Sequence, residues 1–318
     1  MTITKAEVVK RLLQSDNVLI ITHKSPDGDT LGSAFALYNA LKSLQKKARV
    51  ECSDIFPQRF QYLMEGYEHQ EFKPDYIVAV DVAAIQLFGS NLEHYAQDVD
   101  LCIDHHPSNE LYAKDTYLVA KASATCEMMY DIICDMNIAI TKQIADCLYT
   151  GLATDTGCFR FSNTTEKTHR TAADLFGFGA NYEWINRILF ETKSKSRVRM
   201  EQLALSSIEY YYSDYVALIA ITQKMIEEAN ADESELDGVA SIPRTIEGVE
   251  IGITMREKAE GGYKISIRTA SKVDASQLCA LFNGGGHKRA AGCFIDSDLK
   301  TTKRLLLDAI QSIIKTIE

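Results

Sequence analysis

Residues 17–30 read NVLIITHKSPDGDT, and this stretch decides the first part of the fold. Its apolar run predicts a buried strand, and the proline and glycine that follow predict a turn. From about Thr30 to Lys47 the apolar residues have helical spacing. The strand therefore ends in a polar turn at the start of a helix, as in the β–α units of a parallel sheet.

The turn carries three side chains that can bind a metal ion, His23, Asp27 and Asp29. The two aspartates are separated by a single residue, Gly28, so their side chains can point the same way. Gly28 lets the backbone bend between them. Asp29 also has an ordinary interpretation, which is that it caps the helix starting at Thr30. Both interpretations remain open from this stretch alone.

Two further apolar runs end abruptly in polar side chains: residues 76–81 read YIVAVD and residues 100–107 read DLCIDHHP. Each run is typical of a buried parallel strand. Asp155 follows a helical pattern that starts at about Thr141, and it enters a loop containing Gly157. One aspartate at a strand end is more often solvated than bound to metal. Repeated acidic groups at the edge where α/β sheets bind ligands favour a functional site.

Strand-like and helical patterns alternate through the first half of the chain, which predicts a doubly wound parallel sheet with helices on both faces. The predicted strands lie near residues 17–22, 48–52, 76–81, 99–103 and 116–120. A second α/β unit is predicted from strands near 215–220, 251–255 and 263–268 and from a final helix between about Leu299 and Ile317. The expected domains cover residues 1–190 and 213–318, with a connecting helix over 191–212.

Residues 104–106, Asp-His-His, resemble the motif that names the DHH phosphoesterase family. Three other stretches are similar to the metal-binding motifs of that family and stand in the same order: HKSPDGD at 23–29, Asp81, and TDTG at 154–157. Near the C-terminus, GGGHKRAAG at 284–292 resembles the signature of the accessory DHHA1 domain. The resemblance spans nearly the whole chain. It implies a doubly wound DHH domain joined by a helical linker to a smaller α/β DHHA1 domain, with a cleft between them.

The same resemblance implies a centre of two divalent metal ions. Its expected ligands are His23, Asp27, Asp29, Asp81, His105 and Asp155. His23 and Asp27 would bind one ion, the other three would bind the second, and Asp81 would bridge the two. Carboxylate and imidazole ligands without thiolate suit Mn²⁺ best, with Mg²⁺ or Co²⁺ as alternatives. Two divalent metal ions bound side by side activate water for attack on phosphorus.

Two further residues are expected to take part in catalysis. By resemblance, His106 contacts the scissile phosphate; the alternatives are a third metal ligand and a surface histidine. Asp104 is interpreted as a carboxylate that orients an imidazole. Its alternative is an aspartate that satisfies loop amides at the end of a strand.

Substrate binding is expected from the second domain. Three consecutive glycines permit close backbone approach and a nest of amide groups around an anion. By resemblance to DHHA1 domains, the candidate substrate-binding residues are Arg268, Gly284, Gly285, Gly286 and His287. Solvation is the ordinary interpretation for Lys288 and Arg289.

Composition limits the possible partners. The 318 residues carry a net charge of −10, which argues against a surface for long nucleic acid but is compatible with short oligoribonucleotides or small nucleotides. No apolar stretch reaches the roughly 20 residues of a membrane helix, and the first 14 residues are amphipathic, so we expect a cytoplasmic protein without a membrane partner. The eight cysteines form no Cys-x-x-Cys pair and are expected to be reduced core residues. Kinship suggests a homodimer.

The two-domain length resembles the branch of the family that degrades very short RNA. The expected activity is manganese-dependent hydrolysis of short oligoribonucleotides to mononucleotides, together with dephosphorylation of 3′-phosphoadenosine 5′-phosphate to AMP. One alternative is a stand-alone phosphodiesterase for pApA or cyclic di-AMP. A different class, a non-catalytic nucleotide-binding regulator, is disfavoured because four inward carboxylates would repel one another without metal.

Overall fold

Five short strands form a parallel sheet in the first part of the chain. They are β1 (Val18–Ile21), β2 (Ala48–Glu51), β3 (Tyr76–Val80), β4 (Leu101–Asp104) and β5 (Asp115–Leu118). Every pairing is parallel, and the order across the sheet is β2-β1-β3-β4-β5. The order therefore reverses between β1 and β3, and such switch points are where open α/β sheets bind ligands. The predicted α/β class with a parallel sheet in the first part of the chain is confirmed.

The computed structural model describes residues 1–236 and 238–317, and these divide into two units, of which the first covers 1–192 and the second begins at residue 193. The helices of the first unit are α1 (Lys5–Gln14), α2 (Gly28–Ser43), α3 (Thr125–Asp135), α4 (Lys142–Asp155), α5 (Glu166–Gly177) and α6 (Tyr182–Asn186). A π-helical turn, Arg187–Glu191, follows α6. All six helices contribute buried side chains to one core, on the face of the sheet that carries Val18, Ile20, Val78 and Ile103.

The other face of the sheet carries Leu19, Ile21 and Ala79, and none of the α-helices described for the first unit contributes to its core. The segment between β3 and β4 supplies Phe88 and Leu92 to this core through short 3-10 turns. The expectation of helices on both faces is therefore wrong for this face. The physical reason is that Gly-Ser-Asn at 89–91 interrupts the segment and leaves no run long enough for a helix.

The second unit has a mixed sheet. Its elements are α7 (Lys195–Ser206), β6 (Glu209–Tyr211), β7 (Val216–Ile221), α8 (Gln223–Ala229), α9 (Glu233–Leu236), β8 (Ile251–Glu257), β9 (Tyr263–Thr269), α10 (Ala275–Ala280), β10 (Gly285–His287), β11 (Ala290–Ile295) and α11 (Leu299–Ile317). The order is β10-β11-β9-β8-β7-β6, in which β7 and β8 pair in parallel and the other neighbouring strands pair antiparallel. Residues of α10 and α11 share one core with the sheet, and α7 contributes to a second core.

Two segments of the second unit differ from the sequence-based expectation. The helix expected over 191–212 covers only Lys195–Ser206, because Glu209–Tyr211 pairs with β7 as an edge strand. Tyrosines at 210 and 211 favour such a strand. The glycine run is not an open turn, since Gly285–His287 pairs antiparallel with β11.

None of the helices in the described part of the chain combines the length and apolar character needed to cross a bilayer.

Candidate metal centre

The expected metal ligands meet at the carboxyl edge of the parallel sheet. His23 lies two residues after β1, Asp81 directly follows β3, and His105 directly follows β4. The other three expected ligands come from the start of α2 and the end of α4: Asp27, Asp29 and Asp155. His23 and Asp81 follow β1 and β3, the two strands between which the strand order reverses.

The first cluster contains His23, Asp27 and Asp81, whose ligand atoms could hold one metal ion. His23 Nε2 lies 3.7 Å from Asp27 Oδ1 and 3.6 Å from Asp81 Oδ2. His23 Nδ1 lies 2.8 Å from the Lys24 carbonyl oxygen. Because a carbonyl only accepts, Nδ1 donates there and Nε2 is the atom that faces the carboxylates.

The second cluster contains Asp29, His105 and Asp155. His105 Nε2 lies 3.2 Å from Asp155 Oδ2 and 3.9 Å from Asp29 Oδ2. The ring is oriented by its Nδ1, which donates to the Ala122 carbonyl oxygen at 3.1 Å. His105 Nε2 is buried and makes no hydrogen bond. A buried nitrogen that points at carboxylates without a hydrogen bond suits coordination of a cation.

Asp81, a member of the first cluster, also reaches the histidine of the second. Its Oδ2 faces His23, and its Oδ1 lies 3.7 Å from His105 Nε2. Its backbone is left-handed, with φ of 61°, an uncommon conformation that aspartate tolerates better than most residues. The Thr125 hydroxyl donates to Oδ1 at 2.9 Å and so holds the carboxylate in place. This orientation is the one that a bridging carboxylate needs.

Asp29 is held by the N-terminus of α3. Its carboxylate accepts the backbone N–H groups of Thr125 at 2.6 Å and Cys126 at 2.9 Å. The helix cap belongs to Asp27 instead, whose Oδ1 accepts from the backbone N–H groups of Asp29 and Thr30. Capping by Asp29, one of the two interpretations left open by the sequence, is therefore wrong.

The carboxylates are more numerous than the positive charges around them. Burial, together with the charges of Asp81 and Asp155, raises the pKa of Asp29 well above its usual range. Burial also raises the pKa of Asp155. Burial alone would lower the pKa of His23, but the neighbouring carboxylates of Asp27 and Asp81 raise it to about 11. The site thus favours positive charge, and this donor set fits divalent cations.

A glycine lets α4 approach the carboxylates. A Cβ atom at Gly151 would lie 2.6 Å from Asp29 Oδ1 and 2.3 Å from Cys126 Sγ, so only glycine fits there without a shift. Because Gly151 lies one helical turn before Asp155, this close approach also brings the last carboxylate of α4 to the site.

Asp104 contacts the imidazole of His106. Asp104 Oδ1 lies 2.7 Å from His106 Nδ1, and Asn109 Nδ2 donates to Asp104 Oδ2 at 2.6 Å. Burial would raise the pKa of Asp104, but these hydrogen bonds lower it. His106 Nδ1 also lies 3.5 Å from Asp81 Oδ1, so the alternative of a third ligand is close in space. With Nδ1 donating to Asp104, however, only Nε2 is left for another partner.

The five expected substrate-binding residues all line one pocket of the second unit, which has a volume of about 1090 Å³. Gly284 and Gly286 are required by packing, since their Cβ atoms would lie 2.3 Å from the Gly292 carbonyl oxygen and 2.6 Å from that of Ala290. Burial, and secondarily the charge of Arg244, lower the pKa of Arg268. The nest of amides expected from a glycine turn is replaced by an edge strand.

Arg289 has a structural contact rather than only solvent around it. Its guanidinium donates to the Val273 carbonyl oxygen at 3.0 Å and to that of Ser271.

Sequence reasoning also missed Thr125 and Asn109, which contact Asp81 and Asp104. Their neighbours in the chain show no motif, so the contacts are visible only in the folded molecule.

A smaller pocket of about 210 Å³ adjoins the candidate metal centre, and we call it the side pocket. Its lining residues are Asp27, Gly28, Arg59, Phe60, Thr154, Asp155, Leu189 and Phe190. All of them belong to the first unit. Arg59, Leu189 and Phe190 were not expected near the site from the sequence.

The parallel sheet and its two clusters define an α/β protein with a candidate dinuclear metal centre. The model of the DHH family, N-terminal domain, matches residues 17–152, and the model of the DHHA1 domain matches residues 215–317. The chain therefore belongs to the DHH family and carries a DHHA1 domain.

Curated relatives align over most of the chain. The chain is 33% identical to the bifunctional oligoribonuclease and PAP phosphatase NrnA of Thermus thermophilus, over 96% of this chain and 92% of that protein. It is 24% identical to the probable bifunctional oligoribonuclease and PAP phosphatase NrnA of Streptococcus mutans, over 90% of this chain and 91% of that protein. A solved structure, an exopolyphosphatase-related protein from Bacteroides fragilis, superposes with a TM-score of 0.87 at 28% identity and covers 98% of this chain and 97% of that one.

Proposed function

We propose that this protein is a two-metal phosphoesterase that hydrolyses short oligoribonucleotides to mononucleotides and dephosphorylates 3′-phosphoadenosine 5′-phosphate to AMP. The observation that carries the proposal is the position of Asp81, whose two carboxylate oxygens face the histidines of two separate clusters. The names of the Thermus and Streptococcus relatives support the substrate class. A net charge of −10 is consistent with short rather than long substrates.

All six proposed metal ligands belong to the first unit. His23 and Asp27 would hold one ion, Asp29, His105 and Asp155 would hold the other, and Asp81 would bridge the pair. Two bound divalent ions lower the pKa of water and neutralise charge on the phosphate. Mn²⁺ is the proposed ion, because the ligands are carboxylates and imidazoles without thiolate.

The remaining chemistry is assigned to protein side chains. Asp104 would keep Nδ1 of His106 protonated and the ring oriented, so that His106 Nε2 contacts an oxygen of the reacting phosphate. Arg268 and His287 would bind a substrate phosphate in the pocket of the second unit. Because nucleotides are metabolites of the cytoplasm, we place the activity there.

A comparison of substrates tests the proposal. Purified protein with Mn²⁺ is assayed with pApA, a tetranucleotide, 3′-phosphoadenosine 5′-phosphate, cyclic di-AMP and pyrophosphate. We expect pApA and the tetranucleotide to be hydrolysed to mononucleotides, and 3′-phosphoadenosine 5′-phosphate to be hydrolysed to AMP and inorganic phosphate. Selective hydrolysis of cyclic di-AMP or pyrophosphate would contradict the proposed substrate class, and binding without hydrolysis of any of them would indicate a regulator.

Two variants test the assignment of residues. Asp81→Asn should lower turnover by about 1,000-fold, because loss of the bridging charge removes several kcal/mol of transition-state stabilisation. Asp98→Asn, a change at an exposed aspartate of the same unit, is the matched control. His287→Ala should mainly raise KM and leave the metal content at two ions. Near-normal turnover of Asp81→Asn would overturn the two-ion assignment.

A further inference from the structure

The side pocket is part of the same site as the candidate metal centre. Asp27, from the first cluster, and Asp155, from the second, both line it. A molecule that fills the pocket therefore lies beside the atoms where phosphate would react. The proposed function assigns no role to the other residues of its wall.

One wall of the side pocket carries a positive charge. Arg59 is exposed, and its guanidinium carbon lies 4.9 Å from the centroid of the Phe60 ring. This cation–π contact orients the side chain. Within residues 1–236 and 238–317, no carboxylate lies within ion-pair distance of Arg59. A guanidinium without a carboxylate partner, next to a phosphoryl-transfer centre, matches the geometry of a phosphate group.

Leu189 and Phe190 give the side pocket an apolar surface, in contrast to the positive charge of Arg59. Both lie on the π-helical turn Arg187–Glu191 and are only partly buried, so part of each side chain remains accessible. π-Helical turns within helices occur frequently at functional sites. Aromatic side chains are the usual platform on which proteins stack unpaired bases.

The volume of the side pocket limits its ligand. At about 210 Å³ it is smaller than the roughly 300–1,000 Å³ of pockets that enclose drug-sized molecules. It offers room for a base or a phosphate group and cannot enclose a longer piece of RNA. The two walls together match a nucleotide, which carries an anionic group and an aromatic base.

We infer that the side pocket binds the nucleotide unit adjoining the reacting phosphate, with Arg59 on a neighbouring phosphate and Phe190 against the base. The inference rests on the proposed function and extends it, because it assigns recognition of the substrate to the first unit as well as to the second. Arg59 and Phe190 are thus specificity residues, whereas the two clusters act on any phosphodiester.

A comparison of two substrates tests the inference. pApA offers a base and additional phosphates, whereas bis-p-nitrophenyl phosphate offers neither of them. Arg59→Ala should lower kcat/KM for pApA by about 10- to 100-fold, and Phe190→Leu should lower it by about tenfold. The loss with bis-p-nitrophenyl phosphate should be much smaller, and Arg59→Lys should restore only part of the pApA rate because it lacks the planar fork.

Matched controls keep the result specific. Arg170→Ala and Phe178→Leu remove an exposed arginine and an exposed phenylalanine of the same unit that do not line the pocket. Neither should change kcat/KM for pApA by more than about twofold, since surface substitutions away from such sites have small effects. Thermal unfolding of each variant shows whether it is folded.

A binding measurement separates this inference from the proposed function. The dissociation constant of AMP, measured by calorimetry with the full chain, should rise about tenfold in Arg59→Ala. If the unchanged protein hydrolyses no nucleotide, the proposed function fails, and the AMP measurement still decides the inference. Equal losses with both phosphodiesters, or an unchanged AMP affinity in Arg59→Ala, would overturn it.

Discussion

Single carboxylates in the candidate centre combine a structural and a chemical task. Asp27 Oδ1 accepts two backbone N–H groups at the start of α2, and the same oxygen lies 3.7 Å from His23 Nε2. Asp29 likewise accepts two amides of α3 while facing His105. These hydrogen bonds fix the orientation of the side chains before any ion binds, which is the usual means of preorganising a metal site.

Asp104 is predicted to act on catalysis only through His106. Asp104→Asn should lower kcat by about 10- to 100-fold, the usual cost of losing such a supporting carboxylate, because the amide can offer Nδ1 a donor and favour the wrong tautomer. Steady-state kinetics measure the loss, and metal analysis should still find two ions. A variant that loses its ions would show that Asp104 supports the ligands instead.

Glu250 gives a pH-dependent prediction away from the metal centre. It is buried, and its carboxylate accepts the backbone N–H groups of Ser271, Lys272 and Val273. Burial would raise the pKa of Glu250, but these hydrogen bonds lower it. The stabilisation is therefore complete above the unfolded-state pKa of about 4.3 and is lost as the pH falls through the lower folded-state pKa.

Glu250→Gln should cost about 1–3 kcal/mol of stability in the second unit at neutral pH. Amide hydrogen exchange at 271–273 should become faster, and the difference from the unchanged protein should shrink in acid. Glu247→Gln, at an exposed glutamate nearby, is the control. A difference that persists below the folded-state pKa would contradict the role of the charge.

At the scale of elements, β10 shows how a glycine run becomes a strand. Gly286 has φ of 143° and lies against Ala290, while a Cβ atom at Gly285 would meet no atom within 4 Å. The three glycines therefore differ in their tolerance of a side chain, although the sequence presents them as equivalent.

Gly286→Ala should destabilise the second unit by about 1–3 kcal/mol, since it strains the backbone and collides with β11. Gly285→Ala should fold normally, with a melting temperature within experimental error of the unchanged protein. Because Gly285 lines the large pocket, its variant should nevertheless raise KM for pApA. Similar melting temperatures for the two variants would show that β10 is not packed as described.

The ends of the parallel strands could be predicted from the sequence, whereas the start of α3 could not. His23, Asp81 and His105 each follow an apolar run, so pattern and chain position were sufficient. The N-cap of α3 is Ala124, which makes no side-chain hydrogen bond, and Asp29 accepts the first amides from 96 positions away. A helix capped by a distant residue leaves no local signal.

The expected metal ligands and the expected substrate-binding residues of the DHHA1 domain lie in different units of the molecule. All expected metal ligands belong to the first unit, and Arg268 and His287 belong to the second. The arginines and lysines of the chain number 34, against 44 aspartates and glutamates, so attraction for phosphate must come from local groups.

We therefore predict that affinity does not increase with RNA length beyond a few nucleotides. In competition assays with the Asp81→Asn variant and Mn²⁺, a 24-nucleotide RNA should bind no more tightly than a tetranucleotide. A net negative protein gains little from additional backbone charges. An increase of tenfold or more with length would reveal a basic surface that the overall charge conceals.

The order of the proposed ligands along the chain has a consequence for biosynthesis. They run from His23 to Asp155, so a nascent polypeptide lacks a full set until the end of α4 has left the ribosome. Domains generally fold as units during translation, N-terminal part first. The first unit would therefore have every proposed ligand for the two ions while the second unit is still being synthesised.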